Sequence, residues 1–122
     1  MALVRVLIVD DQELFRKAAS AVVQESEGFL LVGSVPTGEE SIAAARLLQA
    51  DLVLMDVNLP GIDGFESTRR LRALGRPPVV VLLSTHDADE FGDDALHCGA
   101  TAYLAKSAFG PATLASAWAS SA

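Results

Sequence analysis

Residues 51–64 read DLVLMDVNLPGIDG. Four consecutive apolar residues, Leu52–Met55, stand between two acids, and a loop rich in Asn, Pro and Gly follows Asp56. A short, continuous apolar run bounded by turn residues is typical of a strand that is covered on both faces, as in a parallel sheet. Asp56 is therefore predicted to end a buried strand, at the point where the chain leaves the sheet.

Strands and helices are predicted to alternate along the whole chain. Further apolar runs predict strands at Leu3–Val9, Phe29–Val35, Val79–Leu83 and Thr101–Ala105. Helical spacing and helix start and stop signals predict helices over Gln12–Ser26, from an N-cap at Thr37, over Phe65–Leu74, over Asp87–Cys98 and over Pro111–Ser120. Five β-α units with helical crossovers predict parallel strands, and so one doubly wound α/β domain over residues 1–122.

The composition of the chain bears on whether it spans a membrane or binds nucleic acid. The chain has 122 residues, 51% of them hydrophobic, and a net charge of −7. This size and composition indicate one globular domain, and no apolar run approaches the roughly 20 residues of a membrane-spanning helix. The acidic balance disfavours direct nucleic-acid binding, because phosphate backbones are bound by Lys and Arg. With no signal peptide and a single cysteine, Cys98, a cytoplasmic location is expected.

Four of the five predicted strands end in charged or hydroxyl residues. These are Asp10 and Asp11 after the first strand, Asp56 after the third, Ser84 and Thr85 after the fourth, and Lys106 after the fifth. The carboxyl ends of parallel strands share one edge of a sheet, where ligands bind in open α/β folds. Three carboxylates without His or Cys indicate a hard cation, Mg²⁺ or Mn²⁺. An added lysine and hydroxyl favour phosphoryl transfer, with one carboxylate as a candidate nucleophile. Asp11 is equally suited to be the N-cap of the helix that follows it.

The same residues resemble a known family. The segments DDQELFRKA (residues 10–18), LVLMDVNLPGIDG (52–64) and GATAYLAKS (99–107), together with Ser84, look like the receiver domain of bacterial two-component response regulators. Two of these segments are most similar to receivers of the LuxR/NarL-type branch, whose DNA-binding domain is not in this chain. The resemblance covers nearly the whole sequence and implies a flavodoxin-like (βα)5 fold with strand order 2-1-3-4-5.

The resemblance also implies a role for each matching residue. Asp56 would be the phosphoacceptor, attacking a phosphohistidine of a sensor histidine kinase or phosphotransfer protein. Asp10, Asp11, Asp56 and the backbone carbonyl of Asn58 would hold Mg²⁺.

A second group of residues would stabilise the phosphoryl group and switch with it. Lys106 would pair with the phosphoryl oxygens, Ser84 would move toward them, and Tyr103 would turn inward as Ser84 moves. Thr85, which stands where a smaller residue is common, would narrow phosphoryl access. His86 would tune the phosphoryl lifetime, although it is equally suited to be a solvated loop residue.

Three functions compete for this pattern. The leading one is a phosphorylation-activated switch, which is not a turnover enzyme and catalyses only its own phosphorylation and dephosphorylation. Its output face, which would also serve homodimerisation, would combine the predicted helix at Asp87–Cys98, the fifth strand and the last helix. The alternative is a receiver-fold module that binds proteins without phosphorylation. The third, an Asp-nucleophile phosphohydrolase, lacks the second Asp of an Asp-x-Asp motif, because Asn58 stands there.

Overall fold

A computed structural model describes residues 2–85 and 97–121. Its strands are β1 Val4–Val9, β2 Phe29–Val35, β3 Leu52–Asp56, β4 Val79–Ser84 and β5 Ala102–Ala105. Its α-helices are α1 Glu13–Glu25, α2 Gly38–Leu47, α3 Gly64–Arg72 and α4 Pro111–Ala119, with a 3-10 turn at Lys106–Ala108. The predicted helix over Asp87–Cys98 falls, apart from its last two residues, outside the described residues.

All five strands run parallel in one sheet of order β2-β1-β3-β4-β5. This arrangement confirms the predicted fold class and strand order. The order reverses direction at β1, where the chain first moves outward to β2 and then crosses back to β3. A crevice at such a switch point is where open α/β sheets bind ligands.

Apolar side chains cover both faces of the central strands. Val6, Ile8, Leu52 and Leu54 are fully buried on the face that α1 and α4 cover. Leu7, Val53, Met55, Val80 and Leu82 are fully buried on the face that packs against residues of α2 and α3. This double burial explains the continuous apolar runs of β3 and β4, and of β1 after Arg5. The two edge strands, β2 and β5, contain no fully buried residue.

The register of the sheet brings the polar strand ends to one level. Val9 is opposite Met55, so Asp10 is level with Asp56, which is itself opposite Leu83. Ser84 is opposite Ala105, and Lys106 follows directly. The sheet thus aligns the four polar ends at its carboxyl edge.

The two helix starts differ in how they are capped. The predicted N-cap of α2 is present, because Thr37 Oγ1 accepts a hydrogen bond from Glu40 N at 3.1 Å. The Glu40 carboxylate accepts a hydrogen bond from the Thr37 hydroxyl at 2.9 Å, and not the one from the Thr37 backbone N–H that a full capping box would have. The N-cap interpretation of Asp11 is wrong, because Gln12 precedes the first residue of α1 and no side chain caps it. Asp11 therefore does not cap α1, and its carboxylate lies in the acidic cluster described below.

We expect Thr37→Ala to lower the free energy of unfolding by about 1 kcal/mol, because the backbone N–H of Glu40 loses its acceptor. Urea denaturation with an unchanged m-value would measure this loss. Thr101→Ala is the matched control, since Thr101 is exposed and lies outside any helix start; it should change stability by less than about 0.5 kcal/mol. Equal losses in both variants would contradict the capping argument.

Within the two described ranges, no helix combines the length and apolar character needed to cross a bilayer.

Candidate functional site at the carboxyl edge of the sheet

Three carboxylates gather where β1 and β3 end. Asp10, Asp11 and Asp56 each offer an oxygen atom, and these atoms lie within 4.8 Å of one another. Asp10 and Asp56 are buried, at 1% and 5% exposure, whereas Asp11 is exposed to solvent. The carboxylates of Asp10 and Asp56 are therefore buried in the protein, and that of Asp11 lies on the solvent side of the cluster. This arrangement leaves a path by which a ligand can enter from solvent.

A single lysine counters the charge of the buried acids. Lys106 Nζ lies 2.7 Å from Asp10 Oδ2 and 3.3 Å from Asp56 Oδ1, and the lysine side chain is only 10% exposed. Because an unpaired buried carboxylate is strongly unfavourable, this shared ammonium is what allows two acids to be buried side by side. Lys106 reaches them from the 3-10 turn that directly follows β5.

Asp10 is held rigidly by the start of α1. Its Oδ1 accepts a hydrogen bond from Gln12 N at 2.8 Å, and its backbone carbonyl accepts one from Arg16 Nη1 at 2.6 Å. Its Oδ2 is buried and, within the described part of the chain, accepts no hydrogen bond of suitable angle, although the Lys106 ammonium neutralises it at short range. A buried oxygen in this condition has spare capacity to bind a cation.

The pKa of the Asp56 carboxyl reflects its burial beside Asp10. Burial, followed by the negative charge of Asp10, raises the pKa of Asp56 from 3.8 to about 6, against the lowering effects of Lys106 and of a hydrogen bond from the backbone N–H of Asn58. Near neutral pH the side chain is mostly ionised. It is thus a carboxylate with greater basicity than an exposed aspartate, which favours nucleophilic attack.

The loop after β3 approaches the site very closely. Gly64 N donates a hydrogen bond to Val57 O at 2.9 Å, which brings the start of α3 back against the end of β3. A Cβ atom at Gly64 would collide with the backbone of Asp56 and Val57. Asp63 then caps α3 by accepting a hydrogen bond from Glu66 N at 2.8 Å. Glycine at position 64 therefore permits this close approach of α3 to the backbone of Asp56 and Val57.

The remaining predicted site residues lie at different depths. Ser84 is fully buried at the end of β4, and Thr85 beside it is exposed. Tyr103 is half-buried in β5 and packs against the core on the α2 and α3 side. Asn58 is exposed in the loop after Asp56. His86 lies outside the described residues.

Two residues that contact the site were not predicted from the sequence. Arg16 binds the carbonyl of Asp10, and the ring of Phe15 lies under Lys106 with its centroid 4.5 Å from Nζ. Phe15 also belongs to the apolar face that α1 packs against the core. The signal available in the sequence was their position: both lie in the first turns of the helix that follows Asp10 and Asp11.

The donor set fits a hard divalent cation. Oxygen ligands from one or two carboxylates, with open positions left for water, are what Mg²⁺ prefers. The described residues bring together three carboxylates, and one of the buried oxygens lacks a directed hydrogen bond. Asp10, Asp11 and Asp56 are thus able to hold such an ion, which would offset their mutual repulsion.

The fold and this edge define the class of protein. A five-stranded parallel sheet of order 2-1-3-4-5, covered by helices on both faces, is a flavodoxin-like α/β fold. The signal receiver domain of NarL from Mycobacterium tuberculosis superposes with a TM-score of 0.86 at 29% identity, covering 97% of this chain and 98% of that one. The chemotaxis response regulator CheY4 of Vibrio cholerae gives 0.82 at 28% identity, covering 97% and 98%.

Sequence comparison names the family. The family model for the response regulator receiver domain matches residues 6–118. The response regulator GacA of Pseudomonas viridiflava is 40% identical over 106 residues, which are 87% of this chain and 50% of that protein. UvrY of Escherichia coli K12 is 32% identical over 106 residues, 87% of this chain and 49% of that protein. The chain thus belongs to the response regulator receiver domains of two-component systems. It spans about half the length of the curated relatives it matches.

Proposed function

We propose that this receiver domain is a phosphorylation-activated switch in which Asp56 accepts a phosphoryl group from a phosphohistidine. The observation that carries the proposal is the position of the Asp56 carboxylate, buried beside two further acids and 3.3 Å from Lys106 Nζ. Phosphoryl transfer needs an ionised nucleophile, positive charge beside the transferred group and an approach from solvent, and this site is suited to supply all three. The donor would be a sensor histidine kinase or a phosphotransfer protein.

The chemistry is an in-line displacement. An ionised oxygen of Asp56 attacks phosphorus, the bond between phosphorus and the histidine nitrogen breaks, and its electron pair stays on the imidazole, which takes up a proton. The product on the chain is an acyl phosphate. Mg²⁺, held by Asp10, Asp11, Asp56 and the carbonyl of Asn58, would supply positive charge to the phosphoryl oxygens. Asp56 is mostly ionised at neutral pH, because its pKa is about 6.

Other residues would receive the phosphoryl group after transfer. Lys106 lies close enough to Asp56 to pair with a phosphoryl oxygen, and the Ser84 hydroxyl at the end of the neighbouring strand would donate a hydrogen bond to another. Tyr103, half-buried in β5, would turn inward when Ser84 moves. Thr85 and His86 would tune the lifetime of the acyl phosphate. The three new acceptor oxygens bias the loops toward a second packing, and this change is the switch.

The output follows from this change in shape. We infer that a face including β5 and α4 presents the phosphorylated state to partners, among them a second copy of the chain, and that the protein acts in the cytoplasm without contacting nucleic acid through this domain. It would catalyse only its own phosphorylation and dephosphorylation. The alternative, a binding module that needs no phosphorylation, is not favoured, because the acids and Lys106 come together in one site.

Labelling by a small phosphodonor tests this function. Incubation with acetyl phosphate and Mg²⁺ should add one phosphoryl group, seen by intact-mass spectrometry, and chelation of Mg²⁺ should prevent it. Asp56→Asn should not be labelled. Asp63→Asn makes the same chemical change at an exposed position in the same loop and should be labelled as the parent is. An unlabelled parent protein, or equal labelling of Asp56→Asn, would contradict the proposal.

A further inference from the structure

The Lys106 ammonium has an aromatic neighbour as well as two acidic ones. It lies 2.7 Å from Asp10 Oδ2, 3.3 Å from Asp56 Oδ1 and 4.5 Å from the centroid of the Phe15 ring. A cation over the face of an aromatic ring within about 6 Å is attracted by the ring quadrupole, most strongly where water is excluded. The lysine side chain is 10% exposed, so this attraction acts in a largely dry place.

The ring itself is held in position. Phe15 lies in the first turn of α1 and packs against the core between the sheet and the helices α1 and α4. The ring of Phe109, which follows the 3-10 turn carrying Lys106, lies 6.5 Å from it between centroids at an interplanar angle of 48°. This tilted geometry and spacing are favourable for aromatic pairs. Phe15 therefore presents a fixed face to the ammonium.

The three neighbours of the ammonium are not equivalent. Asp10 and Asp56 belong to the acidic cluster, and their negative charge would be offset once a cation is bound there. Phe15 is uncharged and lies outside that cluster, so its attraction for Lys106 does not change when the acids are engaged. The ring is thus the contact that keeps Lys106 at the site at the moment when its attraction to the carboxylates weakens.

We propose that Phe15 is a positioning residue, which holds the Lys106 ammonium beside Asp56 through a cation–π contact. The role of Lys106 in phosphoryl transfer rests on the proposed function, whereas the contact itself does not. Loss of the ring face should slow phosphorylation of Asp56 about threefold to tenfold. The affinity for Mg²⁺ should not fall, because Phe15 is not itself a candidate metal ligand and Lys106 competes with the metal for Asp10.

The first test observes the contact without any phosphorylation. Lys17 and Lys106 are the only lysines of the chain, and Lys17 is a surface residue paired with Glu13 at 3.5 Å. In a protein labelled with ¹³C at lysine Cε, the Lys106 Hε signals should be shifted upfield by the ring current, with Lys17 as the internal reference. Phe15→Leu should return them to the Lys17 position, and Phe15→Tyr should keep the shift. Coincident signals from both lysines in the parent protein would overturn the proposal.

The second test separates the cation–π contact from simple packing. Phenylalanine with one, two or three ring fluorines, incorporated only at position 15, keeps the shape of the ring while weakening its quadrupole. The logarithm of the rate of labelling by acetyl phosphate should fall steadily with each fluorine, and a flat series would show that the ring acts only as packing. Phe15→Tyr should retain most of the rate that Phe15→Leu loses.

A matched control removes a ring elsewhere in the same core. Phe29 packs against the same core cluster as Phe15, but it begins β2, the edge strand on the opposite side of the sheet from β5, which Lys106 follows. Phe29→Leu should leave both the lysine spectrum and the labelling rate unchanged after correction for folded protein. If the parent protein is not labelled at all, the proposed function fails, and the lysine spectrum alone then decides the role of Phe15. If the parent is labelled and Phe15→Leu is labelled equally fast, the positioning role fails and the proposed function stands.

Discussion

Asp56→Asn should make the protein more stable at pH 7.5, by about 1–2 kcal/mol, although it removes the candidate phosphoacceptor. Burial and the charge of Asp10 raise the pKa of Asp56 from 3.8 to about 6 in the folded state. An ionised Asp56 therefore costs free energy when the chain folds at neutral pH. Complete exclusion of water would make this cost about 3 kcal/mol, and solvent near the mouth of the site reduces it. Asparagine has no such cost and keeps a similar shape.

The sign of the pH dependence follows from the same shift. Below about pH 3.8 the carboxyl is protonated in both the folded and unfolded states, so the two proteins should differ little. As pH rises from 3.8 to about 6, the unfolded chain loses this proton before the folded one does, and the parent loses stability relative to Asp56→Asn. Above that window the difference is constant. Asp10 enlarges the difference, whereas Lys106 and the Asn58 N–H reduce it.

Urea denaturation at a series of pH values, with a chelator present, measures this difference. Asp63→Asn is the control, because Asp63 is exposed and asparagine caps a helix about as well as aspartate. The difference in stability between Asp63→Asn and the parent should not change between pH 3.8 and about 6, the range set by the pKa of Asp56. The prediction would be contradicted if Asp56→Asn were less stable than the parent, or if its gain in stability did not vary with pH. Either result would show that an ionised Asp56 does not destabilise the folded protein.

Gly64→Ala should have the opposite effect and a larger one. The added methyl group would collide with the backbone oxygen of Asp56 and with the Cα of Val57. Backbone atoms cannot rotate away as a side chain can, so α3 must move off the end of β3. We expect a loss of about 3 kcal/mol in the free energy of unfolding, at the upper end for overpacking. Because the colliding atoms belong to Asp56 and its neighbour, labelling by acetyl phosphate should also slow in the protein that remains folded.

Gly75→Ala provides the matched comparison. A Cβ at Gly75 would meet nothing within 4 Å. The same substitution there should change stability by less than about 0.5 kcal/mol and leave labelling unaffected. Chemical denaturation and the labelling assay, run on both variants, distinguish a specific backbone clash from a general effect of replacing glycine. Gly64→Ala with parental stability would mean that α3 does not need this close approach.

The fold was predictable because its signals are local and strong. The apolar runs at Leu52–Met55 and Val79–Leu83 are continuous, since both faces of these strands are buried, and Thr37 with Glu40 marks a helix start within four residues. The ends of elements were less predictable. Asp56 ends its strand as predicted, but Ser84 is the last residue of β4, whereas the apolar run predicts an end at Leu83. Hydrogen bonding within the sheet overrides the polarity of a side chain at a strand end.

The site was predictable only in part. Parallel strands share a carboxyl edge, so the convergence of Asp10, Asp56 and Lys106 follows from the strand order alone. The contacts of Phe15 and Arg16 with Lys106 and Asp10 depend on how α1 is rotated over the sheet, and one apolar stripe does not specify that rotation to within one side chain. The Asp11 prediction failed for a different reason: helix-start statistics favour a cap there, but the helix begins one residue later, at Glu13.

The chain order of the site groups has a consequence for synthesis on the ribosome. Asp10 follows the first strand and Asp56 the third, but Lys106 follows the fifth, so the acids emerge long before the cation that neutralises them. A nascent chain that paired β1 with β3 early would bury two acids with no lysine between them, which is strongly unfavourable. Arrival of the last strand therefore completes both the sheet and its charge balance, and chains released before that point should stay open and be accessible to proteases.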